Sequence, residues 1–180
     1  MSDTLKPTLA TVWLDGCSGC HMSFLDIDER LLDLAALADL IYSPLVDRKD
    51  FPDHVDITLV EGAVSSEDDL AKIRKVRAHT KLLVSLGDCA ITSNVPGMRN
   101  SFGVKSVLNR AYVENVTISH ALPSRVVPVL LEHARPIHEV VPVDVFLPGC
   151  PPSADLIFQT VTDLLAGRPP HPGINPRFGA

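Results

Sequence analysis

The sequence predicts an α/β domain of three layers on a mainly parallel sheet of about four strands. Apolar, β-prone runs recur at residues 8–14, 55–60, 81–86 and 143–147. Amphipathic segments with helical period lie between the first three runs and after the fourth. Strands alternating with helices imply parallel pairing through right-handed crossovers. The composition agrees, because 46% hydrophobic residues and a mean hydropathy of +0.18 suit a sheet covered on both faces. The same balance hints at surface buried by a partner. At 180 residues, one domain with a sizeable core is expected over the whole chain.

Charge and patterning exclude some classes. A net charge of −6 gives no reason to expect nucleic acid. No apolar run reaches the length of a membrane span. The first residues, MSDTLKPTLA, show neither a charged segment followed by a long apolar one nor paired arginines, so no signal peptide is expected. A cytoplasmic location follows. In that reducing compartment, four cysteines read as metal ligands or redox groups rather than disulfides.

The first run, Leu9, Ala10, Val12, Trp13 and Leu14, breaks at Asp15-Gly16 into Cys17-Ser18-Gly19-Cys20. A strand ending in a glycine-rich turn places both sulfurs at its carboxyl end, the ligand-binding edge of an open α/β sheet. Gly16 and Gly19 permit close backbone approach and positive φ. Residues 21–42 read as one helix with an apolar stripe from Phe24 to Ala38, ended by Pro44. His21, next to Cys20, reads as a supporting polar or surface residue. The second strand ends in Glu61-Gly62, where Glu61 is either a solvated turn acid or a carboxylate facing the bound centre as a proton carrier. Residues 66–80 read as a surface helix whose Ser66 and Asp69 resemble a capping box. The third strand runs straight into Gly87-Asp88-Cys89.

Residues 94–142 are turn-rich, with short helical pieces around 104–109. Pro123, Pro128, Pro136 and Pro142 exclude long elements. The fourth strand closes in Pro148-Gly149-Cys150-Pro151-Pro152, where the Gly149 amide is expected to donate toward a sulfur. Ser153 then caps a helix reaching about Leu165. Residues 168–180 form a Pro-rich extended tail.

The thiols thus follow strands one, three and four. In a flavodoxin-like order 2-1-3-4, strands one and three are neighbours and strand four lies beside three. Four converging thiolates suit zinc or an iron–sulfur cluster. One CxxC plus two distant single cysteines needs a preformed fold to gather it, which favours [4Fe-4S]. A flavodoxin-like sheet also leaves FMN open on fold analogy, though thiols occupy the phosphate-loop position after strand one. No Gly-x-Gly-x-x-Gly or Gly-Lys-Ser/Thr motif is present.

LDGCSGCH, VEGAV, GDCA and PGCPP together resemble the small, electron-transferring subunit of [NiFe] hydrogenases, from about Thr8 to Leu165. PGCPP is shared with the quinone-reducing subunit of respiratory NADH dehydrogenase, which carries adjacent cysteines at the first site. The resemblance implies that Cys17, Cys20, Cys89 and Cys150 ligate one [4Fe-4S] cluster near a nickel-iron centre held by a separate large subunit. It makes Glu61 a candidate for the proton path. Lacking a second cluster domain and a twin-arginine signal, the chain is most similar to the short form in soluble NAD-reducing hydrogenases. Those add flavin- and iron–sulfur-bearing diaphorase subunits. A quinone-reductase-type subunit and an FMN- or zinc-binding domain are the alternatives.

Overall fold

The computed structural model describes residues 6–118 and 120–170. Strand β1 (Thr8–Trp13) leads into two short helices, α1 (Gly19–Leu25) and α2 (Arg30–Leu37), and then strand β2 (Asp39–Tyr42). Strand β3 (Val55–Glu61) is followed by the short strand β4 (Val64–Ser66) and helix α3 (Glu67–His79). Strand β5 (Thr80–Leu86) runs into α4 (Gly87–Thr92) and the one-turn helix α5 (Asn94–Gly97). After α6 (Val104–Asn109) come strands β6 (Leu130–Arg135) and β7 (Val145–Leu147), and helix α7 (Ala154–Leu165).

Five strands form a parallel sheet in the order β2-β1-β3-β5-β7. The α/β class and the parallel sheet stand as the sequence predicts, with one more strand. The extra strand is β2, which lies inside the segment expected to be helical. The Leu- and Ala-rich stripe continues through it, but Asp28 adopts φ +60 and breaks the run into α1 and α2. Ala38 is fully extended at φ −145, ψ 154, and hands the chain to β2 beside β1. This strand takes the outer position next to β1, so the expected neighbourhood of the first and third predicted strands, β1 and β5, fails. In the sheet, β3 separates β1 from β5.

Side chains alternate across the sheet, as the period of two requires. Leu9, Leu59, Val84, Leu86 and Leu147 pack on one face against Phe24, Ile27, Leu34, Ile157 and Val161 of the α1, α2 and α7 layer. Ala10, Val12, Val60 and Leu83 pack on the other face against Ile73, Val76, Ala90, Ile91 and Ile137. Helix α3 carries the expected capping box. Ser66 Oγ accepts from the Asp69 N–H, and the Asp69 carboxylate accepts from the Ser66 N–H. Ser153 caps α7 through the Leu156 N–H at 3.3 Å.

The 94–142 stretch holds short elements only, including the helix expected at 104–109. It also holds a feature that no periodicity announces, the antiparallel pairing of β4 with β6. Arg99 fixes this ribbon by donating to the carbonyls of Ser65, Leu131 and Glu132 at 3.1, 2.8 and 3.2 Å. Asn100 exchanges two hydrogen bonds with the Ala134 backbone, both 2.8 Å. The extended tail lies, from residue 171, outside the described residues.

Candidate metal centre

Each thiol is placed by the carboxyl end of a strand. Cys17 sits in the loop after β1, and Cys20 is the second residue of α1. Cys89 is the third residue of α4, directly after β5, and Cys150 lies in the loop after β7. All four are free thiols. Cys17 and Cys150 are exposed, while Cys20 and Cys89 are half-buried.

With β3 between β1 and β5, the first thiol loop must cross the end of β3 to meet the others. Asp15 and Ala63 exchange backbone hydrogen bonds of 3.1 and 2.7 Å, which lays the loop over that end. Gly62 makes the crossing possible. Its φ is +87, and a Cβ there would stand 2.7 Å from Leu14 and Asp15 backbone atoms. The carboxylate of Asp15 accepts from Ser65 Oγ at 2.5 Å and anchors the loop to β4. The positive φ of the thiol loop itself falls at Ser18, at 65°, rather than at Gly16 or Gly19.

The crossing brings the sulfurs within mutual electrostatic reach. Burial raises the Cys20 thiol well above its ordinary value, with further increments from Glu61, Cys89 and Cys17. Burial also raises Cys89. The Val95 N–H opposes this by donating to the Cys89 sulfur, while Cys17, Cys150 and Glu61 add to the increase. Gly87 is the floor of the site. Its φ is +80, and any Cβ there would collide with Cys20 Sγ. The expected Gly149 amide-to-sulfur bond is absent. That N–H donates to Asp88 Oδ1 at 2.9 Å, and Gly149 returns its carbonyl to the Asp88 N–H at 2.9 Å. The reciprocal pair locks the Cys150 loop onto the start of α4. Sulfur contacts come instead from the turn after α4, through Val95 and through Asn94 Nδ2, 3.5 Å from Cys150 Sγ.

Glu61 is no solvated turn acid, being 3% exposed. Its carboxylate accepts from the His21 N–H at 3.0 Å and from the Cys20 thiol. The His21 ring is also buried, at 2% exposed, so its surface reading fails. It packs edge-on against Trp13, centroids 5.1 Å apart. His21 Nδ1 stands 3.1 Å from Glu61 Oε1, off the line of a hydrogen bond. Neither ring nitrogen of His21, nor Trp13 Nε1, has an aligned partner among the described residues. Sequence reasoning missed this inward turn of His21, and it missed Asn94 and Asp88. Asp88 had a signal, since an acid next to Cys89 at a strand end is placed to bind a neighbouring loop. Asn94 had none.

Four soft thiols with two N–H donors and one buried carboxylate form a donor set for a thiophilic centre. Among the described residues, no three His, Cys, Asp or Glu side chains converge as the shell of a single ion.

Three comparisons bear on this arrangement. Residues 17–164 match the family model described as NADH ubiquinone oxidoreductase, 20 Kd subunit. The chain is 43% identical over 169 residues to the delta subunit of the NAD-reducing hydrogenase HoxS of Cupriavidus necator, covering 91% of this chain and 81% of that one. The iron-sulfur subunit of an F420-non-reducing hydrogenase from Archaeoglobus profundus is 29% identical, and the match covers 92% of this chain and 58% of that protein. Among solved structures, a chain of an NAD+-reducing [NiFe]-hydrogenase in its H2-reduced state superimposes with a TM-score of 0.88 at 43% identity, covering 92% and 94% of the two chains. The chain belongs to the NADH ubiquinone oxidoreductase 20 kDa subunit family and, within it, to the small subunits of [NiFe] hydrogenases.

Proposed function

We propose that this chain is the electron-relay subunit of a cytoplasmic, NAD-reducing [NiFe] hydrogenase, and that Cys17, Cys20, Cys89 and Cys150 hold one [4Fe-4S] cluster. The observation that carries the reading is the gathering of four free thiols at one sheet edge by the Asp15–Ala63 crossing. One CxxC and two distant single cysteines, assembled only by the finished sheet, favour a polynuclear centre over zinc. When bound, the cluster supplies one-electron acceptance and donation. The partners are the large subunit with its nickel-iron site and a flavin- and iron–sulfur-bearing pair that reduces NAD. The iron–sulfur and NAD-reducing names of the relatives support both parts of this assignment.

The residues of this chain have distinct tasks. The loops after β1 and β7 and the first turns of α1 and α4 hold the sulfurs, and Gly87 leaves room for Cys20 Sγ. Buried Glu61 holds a carboxylate beside Cys20, where it can accept or release a proton as the local charge changes. Protein purified anaerobically as the native complex is expected to show about four iron and four sulfide assignable to this chain. A Cys89→Ser variant should lose them. Stoichiometric zinc without sulfide would overturn the assignment.

A further inference from the structure

The turn after α4 reaches two of the four sulfurs at once. Its Val95 N–H donates to Cys89 Sγ, and its Asn94 side-chain amide lies 3.5 Å from Cys150 Sγ. The Asn94 contact joins elements 56 residues apart in sequence. Both partners are held from behind. Ser93 is buried and donates to the Ala134 carbonyl at 3.3 Å, while the Gly149–Asp88 pair fixes the Cys150 loop. The amide is therefore delivered to this sulfur by the fold.

We infer that Asn94 is a positioning residue that sets the reduction potential of the centre through its hydrogen bond to Cys150. This rests on the cluster assignment above. A donor to a ligating thiolate stabilises the more negative, reduced state more than the oxidised state, so it raises the potential. The Val95 donation is a main-chain contact and survives side-chain substitution, which makes Asn94 the adjustable half of the pair. The Gly149 amide, engaged by Asp88, cannot substitute for it.

The test is a redox titration of the holo-complex, following the paramagnetic signal of the reduced centre in wild type, Asn94→Ala and Asn94→Gly. Asn94 has φ +24, and glycine tolerates that backbone, so the second variant separates donor loss from strain. Both variants should keep wild-type iron and sulfide. At a fixed potential, their ratio of reduced to oxidised centre should fall about three- to tenfold, equivalent to roughly 30 to 60 mV for one electron. An unchanged ratio in Asn94→Gly would overturn the inference. Loss of iron in both variants would also overturn it, by making Asn94 a scaffold residue. Wild-type protein without iron and sulfide would instead remove the cluster assignment and this inference with it.

Discussion

Glu61 shows how a single side chain acquires a task from its neighbours. It ends β3 under the thiol loop, is shut from water, and accepts from both the His21 backbone and the Cys20 thiol. A buried carboxylate is costly unless donors or a proton compensate its charge. Glu61→Gln keeps the shape and one acceptor oxygen but cannot carry a proton. Hydrogen turnover by the complex should fall at least about tenfold, with the cluster signal and iron content intact. Unchanged turnover across the working pH range would leave Glu61 a structural acceptor. The four thiols and this acid were legible in the sequence because each follows a β-prone run at a glycine step. His21 and Asn94 were not, since a buried ring and a rim amide are defined by residues 40 and 56 positions away.

At the level of elements, local chemistry was readable where it was self-contained. The capping box on α3 and the Ser153 cap lie within four residues of sequence, and each is worth about 1 kcal/mol. The strand β2 was hidden because its Leu-Ile-Tyr core continues a helical stripe, and only Asp28 and Ala38 mark the change. The β4–β6 ribbon depends on Arg99, whose contacts lie more than 30 residues away. The pairing of β1 with β3 offers a pH test. Asp56 accepts from the Thr8 N–H and hydroxyl, both 2.9 Å, and the backbone bond holds its carboxyl below the ordinary value. A lowered folded pKa means that the unfolded chain binds more protons in the intervening window, so stability rises with pH there. The contribution is complete above about pH 4 and is lost as pH falls through the depressed value. Wild type should therefore melt above Asp56→Asn at neutral pH, with the gap closing in acid. The carboxylate is half-buried and still reached by solvent, so screening keeps the gap small. A gap independent of pH, followed by circular dichroism, would assign it to packing.

For the whole molecule, the apolar surface is the telling property. Val95, Met98, Phe102, Tyr112, Val127 and Val129, all from the irregular middle stretch, stay exposed. Such a concentration is characteristic of a surface that a partner covers. The relay assignment adds a functional test at this scale. Hydrogen oxidation releases two electrons, and a hydride must reach NAD as a pair, so a flavin elsewhere has to collect single electrons. This chain with its hydrogen-splitting partner should reduce a one-electron dye under hydrogen but leave NAD untouched. Adding the flavin-bearing pair should restore NADH formation. NAD reduction by the two chains alone would point to a flavin within this sheet.

The loop that crosses β3 also has a consequence in time. A ribosome delivers domains amino end first, at roughly 5–20 residues per second. Cys17 and Cys20 therefore emerge on the order of ten seconds before Cys150. During that interval Cys17 and Cys20 wait first for the floor at Gly87 and then for the lock between Asp88 and Gly149. The nascent pair is exposed to stray metal, and Cys150 joins the other three thiols only with β7, the last strand in the sequence and an edge of the sheet. The strand that completes the sheet also brings the fourth thiol, so a chain stopped before β7 presents only three.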